Sequence, residues 1–278
     1  MNRLISIELQ KIWKNKASKI LTLAYFILLS FIALIASIKF DIGPFKFHLA
    51  EMGIFNFPFI WHFNTYVAAW LKFFLAIVIV SMMANEYSYG TLKQNLIDGL
   101  SKKEFILSKF LTVVLFAFVS TIFVFVMSLI LGLSFSSYNE FGIIFSDLDY
   151  LLAFFVKLTG FFSFCLFLGI LVKRSAFALG FLLVWNIIEG IIRGTLAFKI
   201  FPDSDTDEKI TQFLPLESMS NLIVNPAPRL SVVKTIGNQM GIETDIDYSV
   251  SYSAILIVLV WTFLFIYFSY KLLKKRDL

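Results

Sequence analysis

The sequence predicts an all-α protein that crosses a membrane six times, with both chain ends on the same side. Hydrophobic residues make up 59% of the 278 residues and charged residues only 15%, whereas about a quarter of the residues of a soluble domain are charged. Six apolar runs approach the roughly 20 residues that a helix needs to cross a bilayer. Lysines and arginines cluster in alternate connections between these runs, which is typical of multi-span membrane proteins.

The first element, residues 1–19, is predicted to be an amphipathic helix in the membrane interface. One helical face carries Ile5, Leu9, Ile12 and Trp13. Three lysines are left toward water: Lys11, Lys14 and Lys19. The helix serves either as an anchor or as an elbow that helps to dock a cytoplasmic partner.

Residues 20–278 are predicted to form the transmembrane domain. The six spans are residues 20–38, 66–84, 110–133, 151–172, 176–192 and 253–270. All six prolines lie outside them, as expected for residues that break helices. The fifth span contains Glu189 and could extend to Phe198. The first apolar run is longer than that of a signal peptide and no Ala-x-Ala follows it, so we expect it to be retained.

Basic residues set the predicted orientation. The N-terminus, the loop 85–109, the connection 173–174 and the tail together carry 15 lysines and arginines, and the opposite side carries 6. The side with 15 is predicted to be cytoplasmic, so both termini are cytoplasmic and the loop 199–251 is external. The net charge of +5 therefore reflects membrane topology, and we expect no nucleic-acid partner.

The cytoplasmic loop 85–109 is predicted to contain two helices with a tight break between them. Leu92, Leu96 and Leu100 recur every four residues, which indicates a short helix with one apolar stripe. Gly99 is a suitable helix stop. Ser101 and Glu104 have the spacing of a capping box, which would begin the helix of the third span. From the residues alone, the loop is either an ordinary interfacial connection or an element that receives a push from a partner.

This loop resembles the segment after the second span of type-2 ABC exporter permeases. The residues that carry the resemblance run from Glu86-Tyr87-Ser88-Tyr89-Gly90-Thr91-Leu92 to Leu100-Ser101-Lys102-Lys103-Glu104-Phe105, followed by Lys109. The family pattern is an acidic residue, three variable positions, Gly-Thr, a short coupling helix, a polar turn and a lysine that enters the third span. Ser101 departs from it, because many members have a proline in this turn. The six-span layout, the N-terminal helix and the basic tail resemble the family as well.

The resemblance implies a permease subunit that acts with a second copy or a paralogue in a bacterial cytoplasmic membrane. Two separate ATPase subunits would bind ATP and Mg²⁺ beneath it. Six residues would couple the permease to the ATPase: Glu86, Gly90, Thr91, Leu92, Leu96 and Leu100. This chain has no Gly-x-x-x-x-Gly-Lys-Ser/Thr loop, so we expect it neither to hydrolyse ATP nor to bind a cofactor itself.

Charged residues inside spans are costly and therefore suggest function. Lys72, Lys157, Glu189 and Arg193 are predicted to form an ionic cluster in the outer leaflet, with Glu189 and Arg193 paired four residues apart on one helix. The cluster either staples the bundle or lines an exit pathway, and Lys157 and Arg193 could also extend to the outer surface. Gly190 and Gly194 have a spacing that permits close helix approach.

Nothing in the sequence indicates a metal site or a catalytic group. His48 and His62 lack the spacing of zinc ligands, and the acidic run 203–208 fails the EF-hand pattern. An exporter of an amphipathic substrate is the leading hypothesis. An ATP-independent secondary transporter or channel, and a membrane scaffold subunit, are the alternatives.

Overall fold

The computed structural model describes residues 2–38, 40–42, 45–47, 52–138, 140–202, 206–230, 233 and 246–276. Its α-helices, numbered α1 to α12, are Asn2–Lys14, Lys16–Ser37, Phe59–Trp70, Lys72–Ser88, Thr91–Ile97, Lys102–Phe135, Phe141–Ile144, Asp149–Val172, Ser175–Thr195, Thr206–Thr211, Pro215–Ser220 and Tyr252–Lys275. A π-helical turn, Leu196–Ile200, continues α9, and Ala227–Arg229 form a 3₁₀ turn. Two three-residue strands, Phe40–Ile42 and Phe45–Phe47, pair antiparallel.

The helices are long and apolar enough for a multi-pass membrane protein. Within the described residues, five helical segments meet that test alone, and α3 and α4 together make a sixth if the bent pair is one span. Each predicted span falls on one of these segments. The second differs most from the prediction, because the helix is broken at Leu71 and bends by 46° between α3 and α4. No proline or glycine stands at this break, so the sequence carried no signal for it.

Helix α8 is the centre of the bundle. The most apolar stretch of the segment Phe141–Val172, which contains α8, is 83% buried, whereas that of α2 is 11% buried. Helix α8 packs against α3, α4, α6, α9 and α12. Because lipid is as apolar as leucine, close approach between such helices depends on small residues. A Cβ atom added at Gly169 of α8 would lie 3.0 Å from Cβ of Met83 in α4, so this glycine sets the spacing of the two helices.

Contacts gather both chain ends at one end of the bundle, here called the basic end. Lys11 of α1 contacts Glu86 at the end of α4. After α12, the Arg276 guanidinium donates to the hydroxyl of Tyr87 and to the carbonyls of Ile170 and Leu171 at the end of α8. Charged tail residues thereby cap the last carbonyls of the central helix. Which side of a membrane this end faces stays a prediction.

At the opposite end, short helices and loops close over the spans. The indole of Trp61 in α3 donates to the carbonyl of Ile144 in α7 over 2.8 Å. The indole of Trp261 in α12 donates to the carbonyl of Phe213 over 3.0 Å. The predicted external loop, 199–251, thus contains α10, α11 and the 3₁₀ turn, and its residues 203–205, 231–232 and 234–245 lie outside the described part of the chain.

Gly169→Leu is expected to destabilise the bundle by about 1–3 kcal/mol, the usual cost of overpacking, because the new side chain would meet Met83 and the backbone oxygen of Val80. Gly180→Leu in α9 is the matched control, since no atom lies within 4 Å of its added Cβ. Thermal unfolding in mild detergent measures both variants. Equal melting temperatures would contradict the central position of α8.

Candidate functional site

The loop after α4 forms the predicted helix, with a shorter extent. The prediction ran from Thr91 to Leu100, and α5 spans Thr91–Ile97. Gly90 precedes it with φ +67°, a left-handed conformation that favours glycine. At its end, the Leu100 N–H donates to the Asn95 carbonyl and the Gly99 N–H to the Leu96 carbonyl. This Schellman motif, with Gly99 at φ +98°, stops the helix, and Ser101 and Glu104 then form the predicted capping box of α6.

The apolar stripe of α5 faces its own bundle. Leu92 is buried, and Leu96 and Leu100 are half-buried against the core. The exposed large side chains here are Ile97 at the end of α5, which is 74% exposed, and Tyr89 just before the helix, which is 73% exposed. The three leucines therefore seat α5 on the spans, and a docking partner would meet Tyr89 and Ile97, which the sequence argument did not select.

A buried ion cluster lies directly behind α5. Lys109 of α6 has no exposed side-chain surface, and its ammonium group lies 2.5 Å from a carboxylate oxygen of Glu8 and 2.5 Å from one of Glu86. Lys11 lies 2.8 Å from Glu86 and 3.5 Å from Glu8. The hydroxyl of Thr91, the first residue of α5, donates to the other oxygen of Glu86 over 2.5 Å. We call Glu8, Lys11, Glu86 and Lys109 the four-charge cluster.

Opposite charges balance within this cluster, which contains two carboxylates and two ammonium groups. Removing a charge from water costs several kcal/mol unless a partner and hydrogen bonds replace the water. Burial lowers the pKa of Lys11, but the hydrogen bond to Glu86 and the charges of Glu8 and Glu86 outweigh burial, so this pKa is raised above its usual value. Lys11 is therefore charged at neutral pH, and the contacts of the cluster and of Thr91 tie α1, α4, α5 and α6 together.

Glu8 is the member that the sequence analysis missed, and Lys11 is the one it misplaced. Lys11 was predicted to point toward water, whereas it is half-buried against Glu86. A signal for Glu8 was present: it is the first acidic residue of the chain, and it falls between Ile5 and Ile12 on one helical face. A lone carboxylate on an apolar face indicates a buried partner.

Three of the four predicted intramembrane charges meet at α11, a six-residue helix at the opposite end. The Glu189 carboxylate accepts the backbone N–H groups of Leu216 and Glu217 over 2.9–3.1 Å and the indole N–H of Trp185 over 2.6 Å. Lys157 donates to the carbonyl of Ser220, the last residue of α11, over 3.1 Å. A carboxylate at the first turn and an ammonium group at the last turn both complement the helix dipole.

The predicted pairing within this group was wrong. Arg193 pairs with Glu217 of α11 at 2.9 Å, and Glu189 is occupied by backbone groups. Lys72 makes no hydrogen bond or ion pair with α11 in the described part of the chain, and its ammonium group lies 4.5 Å from the ring centroid of Phe161, one turn along α8 from Lys157. Among the described residues, neither Lys72 nor Lys157 has a carboxylate within ion-pair distance. Gly190 and Gly194 face open space, with no atom of the described residues within 4 Å of an added Cβ, so they mediate no helix contact in the part of the chain that the structure describes.

His62 connects α3 to other segments at the opposite end of the bundle. It is buried in α3 and stacks on Tyr150 with ring centroids 4.3 Å apart. One ring nitrogen lies 2.8 Å from the Val224 carbonyl, which can only accept, so that nitrogen is the donor. The other then accepts from Arg229 over 3.1 Å. His48 lies outside the described residues, in which no group of three histidine, cysteine, aspartate or glutamate side chains could hold a metal ion.

Lys109→Met is expected to destabilise the protein by about 3–5 kcal/mol, because it leaves the carboxylates of Glu8 and Glu86 buried without their main partner. The loss should shrink as the pH falls, since protonation neutralises the unpaired carboxylates. Thermal unfolding between pH 5 and 8 measures both effects. Lys103→Met is the control, because Lys103 is exposed on the same helix and its loss should be close to neutral. An equal effect of the two variants would contradict a structural role for the cluster.

Glu189→Gln is expected to cost about 1–3 kcal/mol, because one buried acceptor is replaced by an amide donor that faces N–H groups. Arg193→Gln removes only a half-exposed ion pair and should cost less than about 1 kcal/mol. Limited proteolysis near α11, together with thermal unfolding, compares the two. If Glu189→Gln were as stable as the wild type, Glu189 would not be a structural staple.

Comparison with known proteins identifies a family for this chain. No curated protein matches the chain. The matching family is described as "Protein of unknown function (DUF2705)", and the match runs from the third turn of α2 to residue 278. That description names no activity, so the similarity to exporter permeases stays a prediction. Because residues 24–278 match it, the chain belongs to this family.

Proposed function

We propose that this chain is the membrane-spanning permease subunit of an ATP-driven exporter, powered by a separate ATPase that docks on α5. Two permease copies, or one copy with a paralogue, would form the transport pathway, and two ATPase subunits would bind beneath them. The basic end would face the cytoplasm of a bacterial cell, because basic residues concentrate there. The substrate would be amphipathic, in keeping with the large number of apolar and aromatic residues in the chain.

The observation that carries this proposal is the link between α5 and the four-charge cluster. Thr91 donates to Glu86, and Glu86 is paired with Lys109 of α6 and Lys11 of α1. A displacement of α5 therefore reaches three other helices through short, charge-assisted hydrogen bonds, which are stronger than neutral ones. A loop that only joined two spans would not need such a connection.

The outward face of α5 supports docking of a partner. Tyr89 and Ile97 are exposed large side chains at the basic end. Tyr89 also lines a cleft of about 380 Å³ together with Lys14 and Asn85. Tyrosines and large apolar residues in such positions are typical anchors of protein interfaces. Docking on this face would leave the leucine stripe seated on the spans, so that the helix and the spans would move together.

A secondary transporter that needs no ATPase is the second candidate, favoured by the broken span. The break at Leu71 places Lys72 at the start of α4, near Phe161 and without a carboxylate partner among the described residues. Discontinuous helices often form substrate or ion sites in such transporters. Substrate uptake by vesicles that contain the chain but no ATP would favour this candidate over the exporter.

Tyr89→Glu and Ile97→Glu are each expected to abolish co-purification of an ATPase with the tagged chain in mild detergent, because a charge would be buried at the interface. Tyr138→Glu is the matched control, since Tyr138 is exposed at the opposite end. The ATP hydrolysis rate of the purified material measures the retained partner. Recovery of a well-folded wild-type chain without any ATPase would overturn the exporter proposal.

The Thr91→Val variant separates docking of the ATPase from transmission of its movement to the spans. The substitution removes the hydroxyl that reaches Glu86 while keeping a similar shape and leaving Tyr89 and Ile97 in place. We expect the ATPase to co-purify normally, with stimulation of its ATP hydrolysis by the permease reduced about ten-fold, the effect of about 1.4 kcal/mol on a barrier. Unchanged stimulation would show that force passes by another route.

A further inference from the structure

A deep apolar groove opens on the side of the bundle at the basic end. It encloses about 940 Å³ between α1, α2 and α6. The residues that matter here are Leu9, Trp13, Thr22, Phe26, Phe116 and Val119. This volume is at the upper end of the roughly 300–1,000 Å³ of small-molecule sites, so the groove holds more than a single side chain.

The groove extends from α1 onto the two spans beside it. Leu115, Phe116 and Val119 line it on α6, and Thr22 and Phe26 line it on α2. Each set covers about 6 Å along its helix at 1.5 Å per residue. The groove therefore lies in the part of the spans next to the interfacial helix α1.

Polarity changes along the groove in the same order as along a phospholipid. At the rim, the ammonium group of Lys19 lies 5.0 Å from the ring centroid of Trp13. Further along the groove, Phe26, Phe116 and Val119 present apolar side chains. A cation at the rim and an apolar wall beyond it fit the phosphate and the acyl chain of a phospholipid.

We propose that this groove binds one anionic phospholipid from the leaflet at the basic end, with its phosphate at Lys19 and one acyl chain along Phe26, Phe116 and Val119. Charge complementarity selects the anionic headgroup. Lys19 lies against Trp13 at the rim and makes no ion pair within the described residues, so its ammonium group can pair with a phosphate. The bound lipid fills the space between α1 and the spans, and so holds α1 in the position that the four-charge cluster requires. This proposal does not depend on the exporter function.

Trp13 is the built-in reporter for the test. The full-length chain is placed in phosphatidylcholine nanodiscs. One series of nanodiscs contains increasing amounts of phosphatidylglycerol with brominated acyl chains, and a second series contains increasing amounts of phosphatidylcholine with brominated acyl chains. The chain has five tryptophans, so the Trp13 signal is obtained as the difference from the Trp13→Phe variant. We expect brominated phosphatidylglycerol to quench Trp13 at a lower mole fraction than brominated phosphatidylcholine.

Two matched pairs of variants locate the lipid. Lys19→Gln should weaken the preference for phosphatidylglycerol about five-fold, the effect of one basic side chain at an anionic surface, and Lys16→Gln should change it little. Val119→Phe fills the groove and should reduce the maximal quenching. Val126→Phe is its control, because the two valines are 45% and 46% exposed on the same helix and only Val119 lines the groove.

Three results would overturn the proposal. Equal quenching by the two lipids would mean that the groove takes lipid without regard to charge. Equal effects of Lys19→Gln and Lys16→Gln would assign the preference to the surface as a whole. If neither lipid quenched Trp13, another part of the assembly, such as a second copy of the chain, would cover the groove.

Discussion

The burial of Lys109 between Glu8 and Glu86 constrains the whole basic end of the molecule. A fully buried ammonium group is tolerated only while both carboxylates stay within hydrogen-bond distance, and these come from α1 and α4. Lys11 and Thr91 complete the coordination of Glu86. The position of the interfacial helix, the end of the second span and the start of α5 are therefore set by one charge on α6. None of these elements can move far without separating the charges.

At the opposite end, charges act on the backbone. Glu189 and Lys157 hold the two ends of α11, so the short helix is fixed to α9 and α8 by groups that its own dipole favours. Placing charged side chains in spans costs free energy. Here the hydrogen bonds to backbone groups of α11 offset that cost, and these backbone groups would otherwise lack partners. This arrangement supports the structural interpretation of Glu189 over a pathway lining, and it leaves Lys72 as the intramembrane charge whose role is open to function.

The two ends are joined by α8, which is buried along most of its length. Arg276 caps its last turn at the basic end, and Lys157 contacts α11 from its N-terminal half. A push on α5 would reach α6 and α4 through the four-charge cluster and then α8 through the close contact at Gly169. In the proposed exporter, this route would connect the docking face to the opposite end. The lipid proposed for the groove would keep α1 seated while the other helices move.

The sequence by itself determined the elements that depend on local physics. Apolar run length set the spans, Gly90 and Gly99 set the start and end of α5, and Ser101 with Glu104 set the start of α6. Only the tertiary structure decided which charges meet. Glu8 and Lys109 pair although they are 101 residues apart in the sequence. Arg193 pairs with Glu217 and not with Glu189, which is four residues away on the same helix. In both cases the packing of the helices sets the distance between the charged groups, and sequence spacing does not. The break at Leu71 and the inward turn of the α5 leucines have the same origin, since both depend on what the surrounding helices bury.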